Sequence, residues 1–135
     1  MVNLTDLERD LLSLAKKKNE LAALGYDDPR YDDVEEELHD LEDDFQDTYG
    51  DYLEDALHTV HDDLCPDNDV LMPIAYVANK YVVAEDGSWL PAEGGVPVEV
   101  DEIPSKGTKL AIAPSPVRIV LIISPKKQQD VWMAK

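Results

Sequence analysis

The sequence predicts an α+β fold in a single domain, with an acidic antiparallel helical hairpin over residues 1–65 packed on an antiparallel sheet of about four to six strands over residues 70–135. Three observations carry this prediction. Apolar residues recur at steps of three and four as far as Leu64, which is the period of an amphipathic helix. From Val96 onward they recur at steps of two, the period of a half-buried strand. Charge divides at the same place: Met1 to Asp69 holds 23 Asp and Glu against 5 Lys and Arg, whereas Val70 to Lys135 holds 7 of each.

A chain of 135 residues has the size of one domain with one core. Hydrophobic residues make up 44% and charged residues 31%, enough apolar surface to offset the entropy of ordering the chain.

The first helix is expected from Leu4, Leu7, Leu11, Leu14 and Leu21, interrupted once by Lys18 and widened by Leu12, Ala15 and Ala22. Thr5 with Glu8 forms a capping-box pattern, a start at Asn3 shifts the boundary by two residues, and Gly25 suits a left-handed helix stop. Asp28 as N-cap and Pro29 at the first helical position then open a second helix. Its seam runs through Tyr31, Val34, Leu38, Leu41, Phe45, Thr48 and Tyr52, and moves by one position after Gly50 to Leu53, Leu57, Val60 and Leu64. That phase change beside a glycine predicts a bend or a break. Folding at the link brings Lys16, Lys17 and Lys18 opposite Glu35, Glu36 and Glu37.

Cys65, Pro66 and the Asp67, Asn68, Asp69 cluster end the helical region. Pro73 either opens a short helix or marks a strand edge. Asp86 and Gly87 make a hairpin turn between Tyr81 to Ala84 and Ser88 to Leu90. Val96, Val98 and Val100 alternate with Pro97 and Glu99, and Leu110 and Ile112 alternate with Lys109 and Ala111. Ile119 to Ile123 is apolar on both faces, which places it centrally. A looser turn over Pro125 to Gln129 leads to a last strand, Val131 to Ala134. A strand apolar on both sides needs two covers, so a homo-oligomer, a dimer through the sheet edge or second apolar face, is expected.

Function classes narrow with charge. Tyr31 to Leu64 carries 15 acids and no Lys or Arg. Such a surface repels nucleic acid and anionic membranes and attracts cations and basic proteins. The N-terminus shows no basic region followed by an apolar core. The longest apolar run, Val117 to Ile123, contains Arg118 and is far shorter than the roughly 20 residues of a spanning helix. Cys65 is the only cysteine and forms no internal disulfide. A cytoplasmic location is expected on these grounds.

Two site readings follow. The first is a non-enzymatic interaction or regulatory protein whose acidic hairpin, through Glu36, Asp40, Asp43, Asp44, Asp47 and Asp51, binds a basic protein partner. The alternative is a metal-binding protein or metal-dependent enzyme. Glu54, His58, His61 and Cys65 stand at steps of 4, 3 and 4 and offer ligand types that zinc or another divalent metal accepts. Four ligands on consecutive turns of one helix surround an ion tetrahedrally only with distortion, and the same residues fit an amphipathic face with a small buried cysteine. Nucleophile motifs, phosphate-cradling glycine loops and dinucleotide fingerprints are absent from the sequence, and no cofactor is predicted beyond that metal.

Overall fold

The computed structural model of the protein describes residues 2–100, 107–124 and 127–134. Among these residues two helices, α1 (Leu4–Ala23) and α2 (Tyr31–Leu64), precede a 3-10 turn (Pro73–Tyr76) and six strands. The strands are β1 (Lys80–Val83), β2 (Trp89–Glu93), β3 (Val96–Pro97), β4 (Lys109–Ala113), β5 (Arg118–Ser124) and β6 (Lys127–Met133). They form two antiparallel sheets, a β1–β2 ribbon and a four-stranded sheet in the order β3-β4-β5-β6. Pro73 takes the first position of the 3-10 turn, where its missing N–H has no partner to lose.

Helix α1 starts at Asn3, whose side chain accepts a hydrogen bond from Asp6 N at 3.0 Å, two residues ahead of the Thr5 capping box. Its C-cap is Leu24 in extended backbone, so Gly25 is not the left-handed stop expected of it. Before α2, Asp28 acts in the link: its carboxylate accepts from Arg30 N at 2.9 Å and its carbonyl from Tyr31 N at 3.0 Å. Arg30 takes the N-cap position with no side-chain bond.

Helix α2 is continuous through Gly50, and no break occurs there. The moving seam is the natural drift of a row repeating every four residues on a helix of 3.6 residues per turn. Phe45, Tyr49, Leu53 and Leu57 are all buried, and Tyr49 takes the inward position expected of Thr48. At 1.5 Å per residue α1 is about 30 Å long and α2 about 50 Å. The first part of α2 packs on α1, and the remainder carries the same buried row past it to the 3-10 turn and β6. Gly50 also sits at a close approach. A Cβ there would collide with the Gln46 amide, whose Oε1 accepts from Ile74 N at 3.3 Å and so pins the 3-10 turn to the helix.

In the sheet, Val96, Val98 and Val100 are buried between exposed Pro97 and Glu99, although only Val96–Pro97 pairs as strand. β5 lies between β4 and β6, and Ile119, Val120 and Leu121 are buried. Direct cross-strand partners share a face, so Leu110, Ile112, Ile119, Leu121 and Trp132 face one way, and Trp132 meets Tyr52 of α2 edge-on at 5.9 Å. Arg118, Val120 and Gln128 face the other way. There Arg118 Nη2 donates to Trp89 O at 2.6 Å and Gln128 Nε2 to Pro91 O at 2.9 Å. Strand β2 is thus tied on this face to β5 through Arg118 and to β6 through Gln128. The last strand begins earlier than Val131, at Lys127, and Pro125 of the expected turn lies outside the described residues.

The β1–β2 ribbon turns at Gly87, whose φ of +87° suits glycine. Asp86 Oδ1 accepts from Ser88 N at 2.9 Å and closes the turn. β1 is fixed to α1 by Asn19, whose Oδ1 accepts from Tyr81 N at 2.7 Å while its Nδ2 donates to Tyr81 O at 3.1 Å. One side-chain amide thus satisfies both backbone groups of a strand residue, as a neighbouring strand would.

Candidate functional site

Glu36, Asp40, Asp43, Asp44, Asp47 and Asp51 are all exposed. At offsets of 4, 7, 8, 11 and 15 from Glu36 they occupy one face of α2, along about 22 Å of helix axis. Glu54 and Asp55 prolong the face by another turn, and both are exposed. Val34, Leu38, Phe45 and Leu53 on the opposite side hold this face outward.

Among the described residues, the lysines of α1 reach the flank of the hairpin. Lys17 Nζ lies 2.7 Å from Glu37 and 3.0 Å from Glu20, and Lys18 Nζ lies 3.5 Å from Glu42. Lys17 meets one of its three expected acids, Lys18 reaches further along α2, and Lys16 is exposed with no such pair among the described residues. Both glutamates of the closed pairs bond to α1, which fixes the antiparallel arrangement. None of the six outward acids has an ion pair or hydrogen bond among the described residues. The described cations of the sheet stay away from them: Arg118 pairs with Asp130, and Lys80, Lys109 and Lys127 pair with no acid there.

On the far side of the hairpin, Tyr49 donates to Asp10 at 2.5 Å and Arg9 Nε to the same carboxylate at 3.0 Å. Burial works against the Asp10 charge, but these two hydrogen bonds outweigh it and hold the carboxyl below its ordinary range. Burial, reinforced by the Asp10 bond, pushes the Tyr49 hydroxyl up to about 12.

The residues expected to ligate a metal divide between surface and core, Glu54 and His58 being exposed and His61 and Cys65 buried. His58 and Glu54 lie on the surface with His58 Nε2 3.6 Å from Glu54 Oε1. His61 turns into the core, and both its nitrogens are engaged. Nδ1 faces Asn68 O at 3.0 Å, a carbonyl that only accepts, so Nδ1 carries the proton. Nε2 then accepts from the Tyr76 hydroxyl at 2.9 Å, and the Tyr76 oxygen accepts from Leu71 N at 3.1 Å. Cys65 caps α2 in a buried position where burial raises its thiol pKa. Among the described residues no group of three or more His, Cys, Asp or Glu side chains could hold a metal ion. The 4, 3, 4 spacing is right for one helix face, but the drifting inward row turns His61 under the 65–72 segment.

One buried charge had no place in the sequence reading. Arg118 is 2% exposed, and its guanidinium donates to Asp130 Oδ1 at 3.0 Å, Pro114 O at 2.8 Å, Pro116 O at 3.0 Å and Trp89 O at 2.6 Å. It joins the β4–β5 turn to β2 and β6, and its donors are spent on structure. The signal was present as a lone arginine in an apolar strand after a Pro-Ser-Pro turn.

No helix among the described residues is long and apolar enough to cross a membrane. No protein-family model matches the chain, and neither the curated proteins nor the solved structures give a match.

Proposed function

We propose that this is a non-enzymatic interaction or regulatory protein whose acidic helical hairpin binds a basic protein partner along the outward face of α2. The observation that supports this reading is the exposed row Glu36, Asp40, Asp43, Asp44, Asp47 and Asp51, directed away from the core and without a cation among the described residues. Like charges at i and i+4 destabilise a helix, and a basic surface laid along the row relieves that cost and speeds encounter through electrostatic steering. The metal reading has weaker support, because His61 spends both nitrogens inside the fold and leaves Glu54 and His58 without a third ligand among the described residues.

The test is affinity capture by the intact protein at 50 and 500 mM NaCl, alongside the variant E36Q/D40N/D43N/D44N/D47N/D51N. Captured proteins are expected to be enriched in basic ones at low salt and to be lost both at high salt, where the Debye length falls to a few Å, and on the variant. Recoveries that ignore salt and the six substitutions would overturn the reading.

A further inference from the structure

A cavity of about 390 Å³ lies between β2 and the sheet face that carries Arg118, within the roughly 300–1,000 Å³ of small-molecule sites. Its floor is a row of direct cross-strand partners, Lys109 of β4, Ile122 of β5 and Gln128 of β6, which share a face. Pro91 and Ala92 of β2 form a wall, with Glu93 exposed beside them.

Two polar groups of this row are unmatched. Lys109 is partly buried and has no ion pair or hydrogen bond among the described residues. Gln128 Nε2 donates to Pro91 O at 2.9 Å, while Gln128 Oε1 is closed to water and has no hydrogen-bond partner among the described residues. No other buried side-chain oxygen or nitrogen among those residues is in that condition. A buried acceptor without a donor and a partly desolvated cation without an anion both cost stability. Arg118 on the same face meets four acceptors, so the open groups are particular to the cavity.

We propose that this cavity binds a small monocarboxylate with an apolar middle and a hydrogen-bond donor at its far end. Lys109 takes the carboxylate, Ile122, Pro91 and Ala92 hold the middle, and Gln128 Oε1 accepts from the donor. Neighbouring strands lie about 4.8 Å apart, so the backbones of Lys109 and Gln128 stand about 10 Å apart on either side of Ile122, and a compact ion such as acetate does not span them. The bond to Pro91 holds the Gln128 amide at the cavity wall. A small turn about its terminal bond, a torsion with a broad preference, brings Oε1 to the cavity. Charge selects an anion: a partly desolvated cation gains more from a partner than the exposed Glu93 carboxylate, which water already serves. This site is separate from the acidic face of α2 and does not depend on the docking reading.

The test titrates 4-hydroxyphenylacetate and 6-hydroxyhexanoate into the intact protein, followed by NMR of backbone and side-chain amides. Phenylacetate, which lacks the far donor, and 4-ethylphenol, which lacks the carboxylate, are the controls. 4-Hydroxyphenylacetate is expected to bind about tenfold more tightly than 4-ethylphenol and about threefold more tightly than phenylacetate, and to shift the Gln128 side-chain amide and the backbone amides of Lys109 and Ile122. K109M, with K109Q as a milder change, should erase the first difference, and Q128M the second. Circular dichroism checks that each variant is folded. The variant D40N/D43N/D44N/D47N should bind the acid as the parent does, which separates this site from the docking face. Failure of both hydroxy acids to saturate the shifts, shifts confined to residues outside the cavity, or a carboxylate preference that survives both Lys109 substitutions overturns the proposal.

Discussion

Arg118 in the sheet is one cation with four hydrogen bonds and almost no contact with water, whereas Glu36 to Asp51 on α2 supply six outward anions with no bond or ion pair among the described residues. A charge taken out of water persists only when its donors are matched. Charges left in water need no match and cost only mutual repulsion. The first kind of charge builds this fold, and the second kind is tolerated by it. Substitutions in the two regions should therefore move stability in opposite directions.

The largest effect is expected at Arg118. R118M removes the partner of the Trp89, Pro114 and Pro116 carbonyls and unpairs Asp130, and should lower the unfolding free energy by about 3–5 kcal/mol in urea titration. Against a total of about 5–15 kcal/mol for a domain this is a severe loss. A change below about 1 kcal/mol would show that the buried guanidinium is not structural and would remove the contrast.

Asn19 comes next. N19A deprives Tyr81 of both backbone partners in a partly buried position, and a loss of about 1–3 kcal/mol is expected. Hydrogen exchange at the Tyr81 amide should quicken more than exchange in β5, since the clamp is local to the ribbon.

The acidic face gives the smallest change and the opposite sign. In D40N/D43N/D44N/D47N the like-charge pairs Asp40–Asp44 and Asp43–Asp47 disappear, each worth about 0.2–0.5 kcal/mol. The variant should be slightly more stable than the parent at low salt, and the gain should vanish near 0.5 M NaCl. Destabilisation instead would mean that these acids take part in the fold.

The helices were legible because burial follows period: Leu7, Leu11 and Leu14, then Val34 and Leu38, are buried where the spacing puts them. The central β5 and the Asp86–Gly87 turn were legible for the same reason, since a doubly apolar strand and a turn dipeptide are local signals. Three features were not, and each depends on contacts between residues distant in sequence. The break expected at Gly50 rests on a glycine's conformational freedom, which is visible in sequence, whereas the room it leaves for Gln46 depends on the 3-10 turn more than twenty residues away. His61 looked like a ligand because its spacing from His58 is local, whereas its partners Asn68 and Tyr76 come from the chain that folds back over the helix end. Arg118 was legible only as a charge within an apolar run, and its acceptors Trp89 O and Asp130 come from β2 and β6, beyond the local Pro114 and Pro116 carbonyls. The exposure of the acidic face agreed with expectation because nothing beyond helix period determines it.

The amide of Asn19 has a consequence for how the molecule behaves when crowded. Among the described residues β1 pairs on one side only, and an open strand border invites a second chain to add on and continue into an aggregate. A strand of four residues offers an incomer few main-chain groups, and those of Tyr81 are already occupied by a side chain from a helix that cannot itself be extended by strand addition. The ribbon is closed there by a plug in place of a neighbour, which guards against runaway stacking while leaving the acidic arm free.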